Sequence, residues 1–475
     1  MINEERGFMT KINWMMPSGA RYIIHNLNRY GYQAYLVGGC VRDILLGRTP
    51  HDWDICTSAT PEQMIHFVEH MNEIEDKCVK ISNGRGIRNE IKYIPTGLQH
   101  GTITIVINGK PFEVTTFRCD GEYSDNRRPD DVTFTKSLAE DLKRRDFTIN
   151  AVAYSLHEGF IDPFDGINDI KKKIIRCVGN PHDRFNEDAL RIMRAIRFSA
   201  QLDFYIETKT NNAIFELANN LDNISKERIN SELCKILKSK HPENIVTSKN
   251  ILCEIIPEFK PCIDFPQNNP YHCFTVDKHI GSTLLMDKSN DLIVRLALLF
   301  HDIGKPYCYQ DDEDGIRHFR GHGRVSSKMT DEIMRRLKFD NNTREKVVEL
   351  VHYHDATFEI GKKYVRRWLN ILGEEQFRRL LSVRFADIKG QSGLNETERL
   401  EKISNIEKLL NEVLEENECF SLKDLQINGN DLIQLGFSEG KEIGIILKQL
   451  LSQVVDGVIK NEKEELIKNI KNNVI

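Results

Sequence analysis

The texture of the chain changes once, near residue 165, and that change limits its architecture more than any other feature. Before it, short β-branched runs mix with helical patterns. Beyond it, apolar residues recur at helical spacing in 188–202, 213–221, 226–238, 292–300, 331–337, 345–351, 376–387 and 442–455. The expected fold class is an α+β head, built on a mixed sheet with helices, followed by a largely all-α remainder. A chain of 475 residues is too long for one hydrophobic core. Four prolines in 256–271 and the GQSGLN stretch near 390–395 mark boundaries. The predicted units are 1–170, 171–255, 256–392 and 393–475.

Within the head, YLVGGCVRDILL (35–46) reads as strand, Gly-Gly turn and helix, and HDWDIC (51–56) as a second short strand. GTITIVI (101–107) and FEVTTF (112–117), separated by Asn108, Gly109, Lys110 and Pro111, read as a hairpin. Glycines at Gly38 and Gly39 let backbone N–H groups approach a phosphate, and a helix that starts there turns its positive end toward it. Asp52 and Asp54 are two apart, so on a strand their carboxylates face the same way and can share divalent metal ions. Glu113, in the FEVTTFR strand, is the candidate third carboxylate; a surface glutamate is the alternative reading. Residues 70–95 read as a surface insertion.

Net charge is −5, yet positive charge gathers between 143 and 197: Lys143, Arg144 and Arg145, then Lys171, Lys172, Lys173 and Arg176, then Arg191, Arg194 and Arg197. A basic face on a near-neutral protein suits a polyanion that binds on one side and later leaves. No long uninterrupted apolar run predicts a membrane span, and the first residues do not read as a signal peptide. Eleven cysteines without a CxxC pair fit a reduced cytoplasm.

At this point the chain resembles a known family. VGGCVRDILLGRTPHDWDI is similar to motif A of the nucleotidyltransferase branch that holds CCA-adding enzymes and bacterial poly(A) polymerases. RRDFTINA (144–151), DPFDG (162–166), EDALRIMRAIRF (187–198) and SKERINSEL (225–233) resemble its motifs B to E, in the family's order. The resemblance implies a class II CCA-adding tRNA nucleotidyltransferase. Its partners are tRNA, CTP and ATP, with no membrane, in the cytoplasm. It implies that Gly38, Gly39 and Arg42 contact the triphosphate, that Asp52 and Asp54 hold Mg2+, and that Arg145 lies beside the nucleotide. Asp146 and Asn150 would help orient the sugar. Asp188 and Arg191 would serve as a protein template, the carboxylate accepting from an exocyclic amine and the guanidinium donating to a ring nitrogen or carbonyl. Arg194 and Arg197, at spacings of three from Arg191, share its helix face. An i,i+3 Asp188–Arg191 salt bridge is the structural alternative.

Among the family's activities, LQHGTITIV stands where poly(A) polymerases carry an arginine-rich strand. The 118–134 segment fills the place of the flexible loop that CC-only enzymes lack. Both favour full CCA addition, with A-only addition or poly(A) synthesis as alternatives.

The second half carries another constellation: His279, His301, Asp302, His322, His352, His354 and Asp387. LIVRLALLFHDIGK resembles the HD phosphohydrolase superfamily, whose ligand order His, His-Asp, distant Asp fits His279, His301, Asp302 and Asp387. His322 and His354 would be further ligands or phosphate contacts. Imidazole with carboxylate suits Mn, Ni, Fe or Zn, and such a site could hydrolyse a phosphoester. An RNA-linked HD phosphohydrolase is therefore the alternative from another functional class. Residues 422–451 resemble the tRNA-gripping tail of the family.

Overall fold

A computed structural model describes residues 12, 14–81, 89–121, 132–391 and 393–473. Chain contacts divide it into two compact units, Met1–Glu232 and Leu233–Ile475.

The first unit is built on a seven-stranded mixed sheet. Its strands are β1 (Ala34–Val37), β2 (Ile55–Thr57), β3 (Ile91–Gly97), β4 (Thr102–Ile107), β5 (Lys110–Thr116), β8 (Ala153–Ser155) and β9 (Gly159–Ile161), and their order is β3-β4-β5-β2-β1-β8-β9. Within this sheet, among the described residues, only β2 and β5 pair in parallel. A separate short hairpin joins β6 (Arg118–Asp120) to β7 (Val132–Phe134). Strand β1 is buried along its whole length, which explains its unbroken apolar run. Ala34 and Leu36 enter one core and Tyr35 and Val37 the other, as strand alternation requires. The first core lies under α1 (Ser18–Arg29), α2 (Gly39–Leu45) and α3 (Pro61–Ile81), with Ile23, Val41 and Phe67 buried against Ile105 and Val114.

The β4–β5 hairpin forms as expected, but its turn is shorter. Asn108 and Gly109 alone make it, at φ 51° and 78°, and the ladder resumes at Lys110 opposite Ile107. Both turn residues tolerate a positive φ, so a two-residue turn matching the strand twist closes there. Strand pairing corrects the reading of HDWDIC: β2 begins only at Ile55, and Asp52 and Asp54 lie in the lead-in, where the Asp54 carbonyl accepts from Val37 N at 3.1 Å. The 70–95 stretch is more than a surface insertion. Part of it completes α3, and Ile91–Gly97 becomes β3, an edge strand exposed along most of its length and irregular beside Pro95. Residues 122–131, most of the predicted flexible loop, and 82–88 fall outside the described residues.

After the sheet come α4 (Leu138–Lys143), α5 (Gly166–Lys172), α6 (Pro181–Glu187), α7 (Leu190–Leu202) and α8 (Lys226–Leu237). The second unit is helical. Its main helices are α9 (Val276–Met286), α10 (Leu292–Phe300), α11 (His322–Arg336), α12 (Asn341–Tyr353), α13 (Lys362–Gln391), α14 (Glu396–Glu415) and α15 (Lys441–Val455). No described helix is long and apolar enough to cross a membrane.

Candidate functional site

Gly38 stands at the junction of β1 and α2 at φ 79°, a conformation that favours glycine. A Cβ there would sit 3.3 Å from Arg145 Nη1 and 3.7 Å from Asp54 Oδ2, so the bare backbone leaves the space between these two charges open. That space belongs to a cavity of about 650 Å³. Its wall carries eight arginines (Arg42, Arg118, Arg144, Arg145, Arg191, Arg194, Arg197, Arg228) against three carboxylates (Asp54, Asp146, Asp188). Gly38, Gly39 and Asn150 also line it. Such an excess of guanidinium makes the cavity a receptor for a polyanion.

Each arginine needs a fixed partner, because a desolvated charge left unpaired is costly. Asp146 accepts from Arg194 Nε at 2.7 Å, from Asn150 Nδ2 at 3.2 Å and from Phe147 N at 2.8 Å. Burial alone would raise the Asp146 pKa, but Arg194 outweighs it and holds the group at about 2. Asn150 in turn accepts from Arg42 Nη1 at 2.9 Å, and Asp43 takes the other side of that guanidinium. Arg145 binds the fully buried Asp141 at 3.2 Å. Arg197 binds Glu232 at 3.1 Å. Phe198 gathers Arg42, Arg194 and Arg197 around its ring at 5.2, 5.6 and 4.4 Å from the centroid.

Asp188 and Arg191 are brought to the same wall. Asp188 closes α6 rather than sharing a helix with Arg191; one of its oxygens accepts from Leu190 N at 3.1 Å and the other from Arg228 Nη2 at 2.9 Å. Arg191 is fixed by Glu187 at 2.5 Å and by the carbonyls of Arg184 and Arg144 at 3.1 and 3.0 Å. Glu187, Arg228, Glu232, Asp141 and Phe198 were not singled out in the sequence, although all but Asp141 lie within the motif D and E stretches.

DPFDG acquires a physical role. Asp162 accepts from Gly166 N and Ile167 N, both at 2.8 Å, and so caps α5. A Cβ on Gly166 would stand 2.1 Å from the Thr148 carbonyl, so the helix packs directly on the turn Thr148–Asn150 that presents Asn150.

Asp52, Asp54 and Glu113 line a second cavity, also of about 650 Å³. Parallel pairing of Ile55 with Val114 sets Glu113 beside Asp54 on the neighbouring strand. Burial raises the Asp54 pKa, Arg145 lowers it, and the nearby charges of Glu113 and Asp52 raise it again. Three carboxylates on one wall, with the ionised form of the central one disfavoured, fit a hard divalent cation that takes oxygen ligands.

The second unit gathers six of the seven residues of the other constellation, whereas His352 is exposed on α12. His279 Nε2 lies 3.2 Å from His301 Nε2, 3.3 Å from Asp302 Oδ2 and 3.1 Å from Asp387 Oδ1. His322 Nε2 lies 2.9 Å from His354 Nε2 and 3.2 Å from Asp302 Oδ1. Two groups thus form, His279–His301–Asp302 and Asp302–His322–His354, with Asp302 common to both. The Nδ1 atoms of His301, His322 and His354 face the carbonyls of Leu298, Phe319 and Val351 at 2.8, 2.7 and 2.7 Å. That arrangement fixes the rings and leaves each Nε2 for the centre, the usual support of metal-binding histidines. Burial opposes the Asp302 charge, but His301 and Lys305 outweigh it and hold the carboxyl well below the usual range. Lys305, at 2.6 Å from Asp302 and 2.7 Å from Gln267, was not anticipated. Its i+3 position after Asp302 was the available signal.

The strand–glycine–helix turn, the carboxylates beside it and the arginine cavity define a nucleotidyltransferase head. Residues 34–176 match the family described as poly A polymerase head domain, and 322–470 match the tRNA nucleotidyltransferase domain 2 family. The CCA-adding enzyme of Ligilactobacillus salivarius (strain UCC118) is 34% identical over 470 residues, covering 94% of this chain and 95% of that protein. The one from Levilactobacillus brevis is 33% identical over 449 residues, covering 94% and 96%. Among solved structures, the Bacillus stearothermophilus CCA-adding enzyme in complex with CTP is similar at TM-score 0.64 and 29% identity, covering 95% of this chain and 97% of that one. The chain belongs to the family of CCA-adding enzymes.

Proposed function

We propose that the chain adds C, C and A to the 3′ end of tRNA, taking CTP twice and then ATP and releasing pyrophosphate each time. The observation that carries this reading is the arginine cavity joined at Asp54 to a carboxylate-lined one. The terminal 3′-hydroxyl oxygen attacks the α-phosphorus, and the bond from that phosphorus to the oxygen bridging toward the β-phosphorus breaks. Arg42, Arg145 and the Gly38–Gly39 backbone receive the triphosphate, and Arg194 and Arg197 line the same wall. Asp188 accepts from the exocyclic amine that CTP and ATP share, and Arg191 donates to the adjoining ring edge. UTP and GTP do not present that edge, which leaves buried polar groups unpaired and rejects them. Asp52 and Asp54, with Glu113 beside them, would hold Mg2+, which when bound neutralises charge at the attacking and leaving oxygens. Asp146 and Asn150 orient the arginines, and through them the sugar and phosphates. The strand before Glu113 favours tRNA addition over poly(A) synthesis and the 118–134 segment favours full over CC-only addition, with A-only addition as the alternative. The functional division into head 1–170, neck 171–255, HD body 256–392 and tail 393–475, and a cytoplasmic location, belong to this reading.

Nucleotide incorporation into tRNA lacking its last three residues tests it. Asp54→Ala abolishes incorporation while tRNA binding stays within about twofold, because the lost interaction is made at the transition state. Extension at the wild-type rate would remove the carboxylate site from the mechanism.

A second reading concerns the HD site, and the shared position of Asp302 between two ligand groups favours it. We infer that it binds a divalent transition metal and that it acts on a phosphoester. Metal analysis of purified protein checks the first part. His301→Ala with Asp302→Ala lowers bound metal at least about tenfold; metal retained at the wild-type level would count against the site.

A further inference from the structure

Two of the head cavities meet at Asp54, and a smaller one of about 230 Å³ shares Glu113 with one and Arg144 and Arg145 with the other. The arginine cavity is lined from Gly38, Gly39 and Asn150, at the β1 and β8 side of the sheet, whereas the second is lined from Thr104, Lys110, Phe112 and Glu113, on β4 and β5. Asp54 heads β2, which stands between β5 and β1, and among the described residues it is the one that lines both cavities. In phosphoryl and nucleotidyl transfer the attacking and leaving oxygens lie roughly in line through phosphorus. When the leaving pyrophosphate sits among the arginines, the attacking hydroxyl must arrive from the β5 side.

The walls of the second cavity suit that visitor. Trp53, half-buried and packed on the head core, offers a flat aromatic face. Lys110 and His51 are exposed at the rim, and Lys110 sits just after the tight β4–β5 turn. A stacking surface next to a cation is how proteins hold single-stranded nucleic-acid ends with little sequence preference. Tolerance of sequence is what three successive additions demand, because the terminal base changes at each step. The cavity, about 650 Å³, is within the range of sites that take one small ligand.

We propose that this second cavity seats the 3′-terminal nucleotide of the acceptor strand, with Trp53 as stacking platform and Lys110 as contact to its phosphate. The proposal rests on the nucleotidyl-transfer reading and adds to it the route of the attacking hydroxyl.

Steady-state kinetics on the full chain test it, with tRNA ending before the CCA and tRNA ending in CC as acceptors, and CTP and ATP as donors. Lys110→Glu raises the KM for both RNAs about tenfold and reduces the slope of log KM against log salt by about one, while the KM for CTP stays within about twofold. Trp53→Leu raises the RNA KM about tenfold, and Trp53→Phe restores most of the loss. RNA KM values unchanged in Lys110→Glu overturn the proposal, as does a CTP KM that rises in step with the RNA KM. A Trp53→Leu chain that fails to fold leaves the decision to Lys110→Glu. A wild-type chain that incorporates no nucleotide overturns the transferase reading instead, so the two failures are told apart.

Discussion

Three arginines of α7 reach the cavity wall, and each is held by a different acid: Arg191 by Glu187, Arg194 by Asp146, Arg197 by Glu232. Donors fixed before the substrate arrives need no reorganisation when charge develops, so pairing serves the chemistry as well as the fold. Spacing by three was legible in the sequence; the pairings of Arg194 and Arg197 were not, because Asp146 and Glu232 lie 48 and 35 residues from their partners. Ion pairs between distant segments leave no periodic signature. The same reason hid Arg228, which takes one oxygen of Asp188 from 40 residues away. Asp188 therefore stands oriented, with its second oxygen on Leu190 N. Asp188→Ala is expected to relax nucleotide choice: the ratio of CTP to UTP use, measured as kcat/KM, falls by about tenfold to a hundredfold. Unchanged rejection of UTP and GTP would remove Asp188 from base selection.

Elements carry the motifs to one another. The Gly-Gly turn was legible because few residues other than glycine sit comfortably at φ 79°, and the hairpin because Asn108 and Gly109 match a two-residue turn. Strand β3 was less legible: exposed along most of its length and holding Pro95, it lacks the alternation that marks a half-buried strand. The lead-in position of Asp52 and Asp54 was hidden too, since an extended segment and a strand read alike until the pairing partner is known. Helix α5 shows how one motif supports another, for its first residue, Gly166, packs on the Thr148 carbonyl of the turn that presents Asn150. Gly166→Ala is expected to destabilise the head by about 1–3 kcal/mol through overpacking, read as an earlier denaturant transition. It should also slow nucleotide addition, because Asn150 and the Arg42 it holds would shift. A transition and rate equal to wild type would show that the contact relaxes without consequence.

At the scale of the whole chain, two compact units hold two different sets of polar side chains. The first has a hard, oxygen-lined carboxylate site beside an arginine cavity; the second has a buried cluster of imidazoles around a shared aspartate. The change of texture near residue 165 foretold an α+β head with helices after it, and the histidine pattern foretold the side chains that gather except that it also took in the exposed His352. Full-length similarity to CCA-adding enzymes agrees with the head as the defining activity. The most direct measurement is product length on a gel, with tRNA lacking its last three residues offered CTP, ATP, UTP, GTP and then CTP with ATP. The expected result is two added residues with CTP alone and three with CTP and ATP, and nothing with UTP or GTP. Long adenosine tails with ATP alone, or no extension with any nucleotide, would contradict it.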